Sequence, residues 1–105
     1  MTQFVKVAKA AELPPGTHQL LDLDGRSIAL FNVDGTFYAI DDLCTHDGGP
    51  LVEGAIDGFE VECPRHGARF DVRTGKALCM PAFEPVCSHR VEVRGDDVWL
   101  ALGEE

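Results

Sequence analysis

Four Asp-Gly pairs punctuate the first part of this chain, at Asp24-Gly25, Asp34-Gly35, Asp47-Gly48 and Asp57-Gly58. Both residues tolerate positive φ, so each pair favours a tight turn that sends a strand back beside its predecessor. Around them lie short runs of β-forming residues: His18 to Asp22, Ser27 to Phe31, Thr36 to Ile40 and Phe59 to Glu62. Ala68 to Val72, His89 to Val93 and Val98 to Leu100 continue the series. Several of these runs alternate apolar with polar residues, as half-buried strands do. Short strands separated by turn signals predict a small, antiparallel all-β sandwich or barrel. Only Val7 to Leu13 can support a helical turn, and Pro14-Pro15-Gly16 ends it.

A chain of 105 residues, 45% of them hydrophobic, is expected to make one domain, residues 1–105, with a core that needs no disulfide framework. The formal net charge of −9 repels phosphate backbones and anionic lipid, which argues against nucleic-acid and membrane partners. No apolar run approaches the roughly 18 residues needed to cross a bilayer, and the N-terminus lacks the apolar stretch of a signal peptide. The expectation is a soluble cytoplasmic protein, whose four cysteines are metal ligands or buried thiols. Charge is uneven: residues 1–62 carry a net −8, residues 63–94 a net +3, and the last eleven add four acids. The mildly basic stretch is either one part of an ordinary solvated surface or the surround of a functional centre.

Two segments hold metal-ligand residue types at close spacing. Cys44-Thr45-His46 is followed by Cys63-Pro64-Arg65-His66, with sixteen residues between His46 and Cys63. Each segment follows a β run, so each is expected to be a loop at the same end of adjacent strands, offering one thiolate and one imidazole to a shared centre. Asp47-Gly48-Gly49-Pro50, Pro64 and Gly67 suit loops whose backbone approaches a bound group. Two thiolates and two imidazoles also suit tetrahedral zinc. Structural zinc sites, however, usually pair like ligands as C-x₂₋₄-C and H-x₃₋₅-H, whereas each segment here mixes the types. The mixture is what a centre of two chemically different metals wants.

Cys44-Thr45-His46 with Cys63-Pro64-Arg65-His66-Gly67 resembles the C-x-H and C-x₂-H signature of Rieske [2Fe–2S] proteins. Arg73-Thr74-Gly75-Lys76-Ala77 with Pro81-Ala82 looks like the family's turn and proline-containing loop, and Val91 to Val98 like its closing hairpin. The resemblance implies one [2Fe–2S] cluster within a part spanning about residues 43–84, with Cys44 and Cys63 on one iron and His46 and His66 on the other. It implies one-electron transfer, with the histidine-bound iron nearest the partner. Gly49 and Arg65 stand where the family's membrane-anchored members carry two further cysteines. Ala68 and Phe70 stand where high-potential members carry a serine and a tyrosine, so a midpoint in the lower part of the roughly −150 to +300 mV Rieske range is expected.

Among members of the family the chain resembles the stand-alone ferredoxins of bacterial ring-hydroxylating dioxygenases. That implies a flavin-dependent reductase fed by NAD(P)H as donor, a terminal oxygenase as acceptor, and a monomeric carrier with no catalytic activity of its own. The small subunit of assimilatory nitrite reductase shares the fold but commonly lacks the ligands. A structural zinc domain and an iron–sulfur redox sensor are the other readings of the same four residues.

The other chemistry-bearing residues have plainer expectations. Cys79 and Cys87 are expected to be small buried thiols, a disulfide between them requiring an oxidising compartment. His18 is expected at the surface, His89 packed or at the surface, and Trp99 in the core or at a sheet edge. Met80 either shields the centre or simply packs. Arg65, between two candidate ligands, is expected near the exposed histidine edge, where it serves packing or contacts a partner.

Overall fold

The computed structural model describes residues 3–42, 51–52, 54–64, 67–79 and 84–103. The turns follow their residues. Asp24 and Asp34 both take φ of 52°, and Gly25 and Gly35 take 78° and 93°, the double positive φ of a type I′ hairpin. These turns join β2 (His18–Leu23), β3 (Arg26–Val33) and β4 (Thr36–Asp41) into a meander. The Asp57-Gly58 pair turns β5 (Ile56–Asp57) into β6 (Glu60–Glu62). The Asp47-Gly48 pair lies outside the described residues.

Two antiparallel sheets result. One has six strands in the order β1-β10-β9-β4-β3-β2, where β1 is Val5–Lys9, β9 is Ser88–Arg94 and β10 is Asp97–Ala101. The other has four in sequence order, β5 to β8, where β7 is Arg69–Asp71 and β8 is Ala77–Cys79. The fold is the expected small antiparallel all-β type. One local expectation changes. The segment expected to begin a helical turn is instead the edge strand β1, paired to β10 from Val5 opposite Leu100 to Lys9 opposite Asp97, with only a 3₁₀ turn at Ala10–Glu12. The partner is more than eighty residues away, so the local pattern carried no sign of it. Among the described residues no helix is long and apolar enough to cross a membrane.

β3 lies between β2 and β4, and its residues Ile28 to Val33 are all buried, so both faces of this strand carry core. On one face Ile28 and Leu30 join Leu21, Phe37, Ala39, Val98 and Leu100. On the other, Ala29, Phe31 and Val33 join Ile40 and, from the smaller sheet, Val61 and Phe70. The second cluster is the layer between the sheets. Asn32, polar within this run, donates from Nδ2 to the Leu13 carbonyl (2.6 Å) and accepts from the Gly35 N–H (2.8 Å), so its burial leaves no unmet group. At the edge of the layer Tyr38 meets Phe59 edge to face at 5.9 Å between centroids, and Arg73 stacks on Phe59 at 4.1 Å. These contacts tie the small sheet to β4.

Candidate metal centre

Cys63 follows β6 directly and is one of the four candidate ligands. It is 1% exposed and in no disulfide. Its N–H donates to the Ala68 carbonyl (2.6 Å) and its carbonyl accepts from the Gly67 N–H (3.1 Å), so the connection between β6 and β7 is closed at its base. Cys44, His46 and His66 lie outside the described residues, as do Thr45, Gly49, Arg65, Met80, Pro81 and Ala82. What the structure places is the flanks of these segments.

One carboxylate joins the residues on either side of segment 43–50. Asp42 Oδ1 accepts the N–H of Leu51 (2.6 Å) and of Val52 (2.7 Å), while the Asp42 N–H donates to the Ser27 carbonyl (2.9 Å) on β3. Leu51 and Val52 then enter the same buried cluster as Cys63, Ala68 and Phe70. The chain beyond them runs against the strand leading to Cys63, where a Cβ on Gly54 would collide with the Glu62 carbonyl oxygen. The chain after segment 80–83 enters the same cluster. Val86 belongs to that cluster, and its N–H donates to the Gly75 carbonyl (2.8 Å). Gly75 takes φ of 81°, and a Cβ there would overlap the Val86 carbonyl oxygen.

The flanks of all three segments therefore share one floor of Leu51, Val52, Cys63, Ala68, Phe70 and Val86. The expectation that the two ligand segments leave adjacent strands is corrected: β4 and β6 belong to different sheets, and it is the residues flanking the segments that share one core cluster where those sheets stack. A buried thiol outside any disulfide, on an apolar floor with closely approaching backbone, fits a sulfur-rich metal cluster. Ala68 and Phe70, both fully buried in this floor, carry no hydroxyl.

A second group of donor atoms lies behind this region. Asp41, Cys87 and His89 bring one ligand-type atom each to within 4.8 Å of one another. Arg26 already supplies the cation: its Nη2 donates to both Asp41 carboxylate oxygens at 3.1 and 3.3 Å. Burial alone would lower the Arg26 pKa, but hydrogen bonds and charge at Cys87 and Asp41 raise it instead. The Gly103 N–H donates to His89 Nδ1 (2.8 Å), which leaves the His89 proton on Nε2, facing Asp41 Oδ1 at 2.8 Å. His89 is thus packed, as expected, and this group is a hydrogen-bonded strut.

Other expectations fare unevenly. Cys79, expected buried, is exposed on edge strand β8, opposite Arg69, with its Sγ 3.6 Å from the Gly67 carbonyl oxygen. Cys87 is half-buried, and neither cysteine is in a disulfide. His18 is exposed and Trp99 half-buried, with Arg94 stacked on its ring at 5.0 Å. Within the basic stretch three arginines face acidic neighbours, while Lys76 and Arg90 are exposed. Arg69 faces Asp57, Glu60 and Glu62, Arg73 faces Asp71, and Arg94 faces Glu92. Asp41, Asp42 and Gly54 escaped the sequence reading, since an Asp-Asp pair and an isolated glycine carry no motif.

A family model described as the Rieske [2Fe–2S] domain matches residues 3–94. The chain belongs to the Rieske [2Fe–2S] family. It is 40% identical over 100 residues to the ferredoxin component of a naphthalene 1,2-dioxygenase system from Pseudomonas aeruginosa, covering 95% of this chain and 96% of that one. It is 45% identical over 95 residues to the ferredoxin subunit of a 3-phenylpropionate/cinnamic acid dioxygenase from Escherichia coli strain K12, covering 90% of this chain and 89% of that one. Among solved structures, it matches a chain in a complex of reduced oxygenase and oxidised ferredoxin of carbazole 1,9a-dioxygenase. That match has a TM-score of 0.90 and 36% identity and covers 97% of both chains. The cofactor of this Rieske chain is accordingly a [2Fe–2S] cluster with cysteine and histidine ligands.

Proposed function

We propose that the protein is the stand-alone ferredoxin of a ring-hydroxylating oxygenase system, a one-electron carrier with no substrate of its own. Cys44 and Cys63 hold one iron and His46 and His66 the other, within a part spanning about residues 43–84 of a single domain, 1–105. The cluster supplies a one-electron couple whose charge is spread over irons, sulfides and ligands. The chain's own residues hold and shield it. Leu51, Val52, Ala68, Phe70 and Val86 exclude water from its inner side. With no hydroxyl from Ala68 or Phe70 to stabilise the added negative charge, the reduced state is less favoured and the midpoint is low.

The observation that carries this reading is the shared floor. The flanks of the two ligand segments, remote in sequence and on different sheets, meet around the Cys63 side chain. The near full-length similarity to ferredoxin components of dioxygenase systems supports the choice of system. The match within an oxygenase–ferredoxin complex supports a terminal oxygenase as electron acceptor. The donor is a flavin-dependent, NAD(P)H-fed reductase, and the carrier is a cytoplasmic monomer that binds neither nucleic acid nor membrane.

Iron and zinc counts on the purified protein, with absorption and low-temperature EPR spectra after dithionite reduction, test the reading. Two irons per chain, a rhombic signal of low average g, and a midpoint below about 0 mV are expected, the Rieske range being roughly −150 to +300 mV. A colourless protein with one zinc per chain makes the same four residues a structural zinc site and ends the electron-carrier reading.

A further inference from the structure

We infer that Asp42 is a positioning residue for the cluster: its single carboxylate oxygen fixes segment 43–50, which carries two candidate ligands, relative to Cys63. The inference rests on the cluster assignment proposed above and assigns a role to a residue outside the ligand motif.

The geometry forms a continuous chain of contacts. The Asp42 backbone is held to the large sheet, its N–H bonded to Ser27 on β3, and the neighbouring Asp41 N–H donates to the Cys87 carbonyl (2.9 Å). The Asp42 side chain then holds the far end of the segment through the Leu51 and Val52 N–H groups, at 2.6 and 2.7 Å. Both residues are buried, Leu51 completely, so their amides have lost access to bulk water. Donors in that situation need an acceptor, and a carboxylate is the strongest one available. Leu51 and Val52 in turn pack in the cluster that contains Cys63 and Ala68. One oxygen atom thus links the frame of the large sheet to the floor beneath the second ligand segment.

Without it, the Leu51 and Val52 amides would lose their tie to the end of β4. Metal–ligand distances tolerate only about ±0.2 Å, so a loosened segment is expressed first as strained or exchanging ligands. Local opening of this kind is separate from global unfolding, because the cluster formed by Leu21, Ile28, Leu30, Phe37, Ala39, Val98 and Leu100 does not involve Leu51 or Val52.

The experiment compares wild-type, Asp42→Asn and Asp42→Ala holoproteins. Each is challenged anaerobically with an iron chelator, and EPR spectra are taken on the reduced forms. Asparagine keeps Oδ1 as an acceptor for both amides, whereas alanine removes it. Asp42→Ala is expected to release iron at least tenfold faster than wild type, with shifted or broadened g-values. Asp42→Asn is expected to stay within about threefold of wild type with an unchanged spectrum, a rescue that follows the acceptor atom. Equal release rates and identical spectra for wild type and Asp42→Ala overturn the inference and leave the electron-carrier reading standing. A wild type that cannot be loaded with two irons overturns that reading and this inference together. Should Asp42→Ala not fold, amide exchange on the wild-type holoprotein decides: Leu51 and Val52 amides protected like those of β3 support the clamp, and rapid exchange refutes it.

Discussion

Replacing Asp41 by alanine removes the acceptor at the centre of the strut behind the metal centre. The His89 side chain is fully buried and that of Asp41 is 13% exposed, so the 2.8 Å bond between them is shielded from water. A hydrogen bond to a charged group in such a setting contributes about 1.5–3 kcal/mol. Arg26, with its side chain 29% exposed, adds less, about 1 kcal/mol after solvent screening. Asp41→Ala is therefore expected to cost about 3 kcal/mol, consistent with the penalty for breaking a buried pair from one side. For a domain of this size that lowers Tm by at least about 12 °C. Asp41→Asn retains an oxygen facing His89 Nε2–H and is expected to lose about half as much. Thermal unfolding followed by circular dichroism, on holoproteins matched for iron content, reads both values. A fall of less than about 4 °C for Asp41→Ala, about 1 kcal/mol, would refute the view that this network supports the fold.

Two further perturbations probe the flanks of the site. Gly75→Ala meets both a φ of 81° and the Val86 carbonyl, and about 3 kcal/mol of destabilisation is expected; Gly35→Ala, with φ of 93° but open space around it, should cost only about 1 kcal/mol. Comparable losses for the two in urea titrations would mean that the Val86 contact is unimportant. Asp71 is held below its ordinary carboxylate pKa, chiefly by the Arg73 side-chain hydrogen bond and against the opposing effect of burial. Its folded pKa being the lower one, it contributes stability above the unfolded pKa and loses it as pH falls through the folded value. Carboxyl NMR titration should show an Asp71 midpoint that rises in Arg73→Ala, and an unchanged midpoint would remove Arg73 as the cause.

The legible parts of this protein were those in which the deciding atoms lie close together in the chain. An Asp-Gly pair adopts two positive φ values whatever surrounds it, so the β2–β3–β4 meander could be read directly from sequence. The C-x-H and C-x₂-H spacing was equally visible, because ligand type and interval are properties of a short segment. Even there, the packing of Cys63 with Leu51 and Val52 depended on the stacking of two sheets rather than on adjacent strands. Cys79 shows the same limit. Its apolar side chain suggested burial, but edge strand β8 turns it outward opposite Arg69.

What sequence alone determined was the strand-and-turn pattern and the chemical identity of the candidate ligands, since both depend on intrinsic residue properties over a few positions. Tertiary structure decided which distant residues hold them in place. β1 found β10, His89 found Asp41 forty-eight residues away, and Arg26 reached the Gly103 carbonyl across seventy-seven. Asp42 became a clamp because β4 ends where Leu51 and Val52 re-enter the core. An aspartate followed by another aspartate has no spacing that predicts this. Its partners are main-chain N–H groups, which every non-proline residue carries, so only the folded chain could select which two would meet the carboxylate.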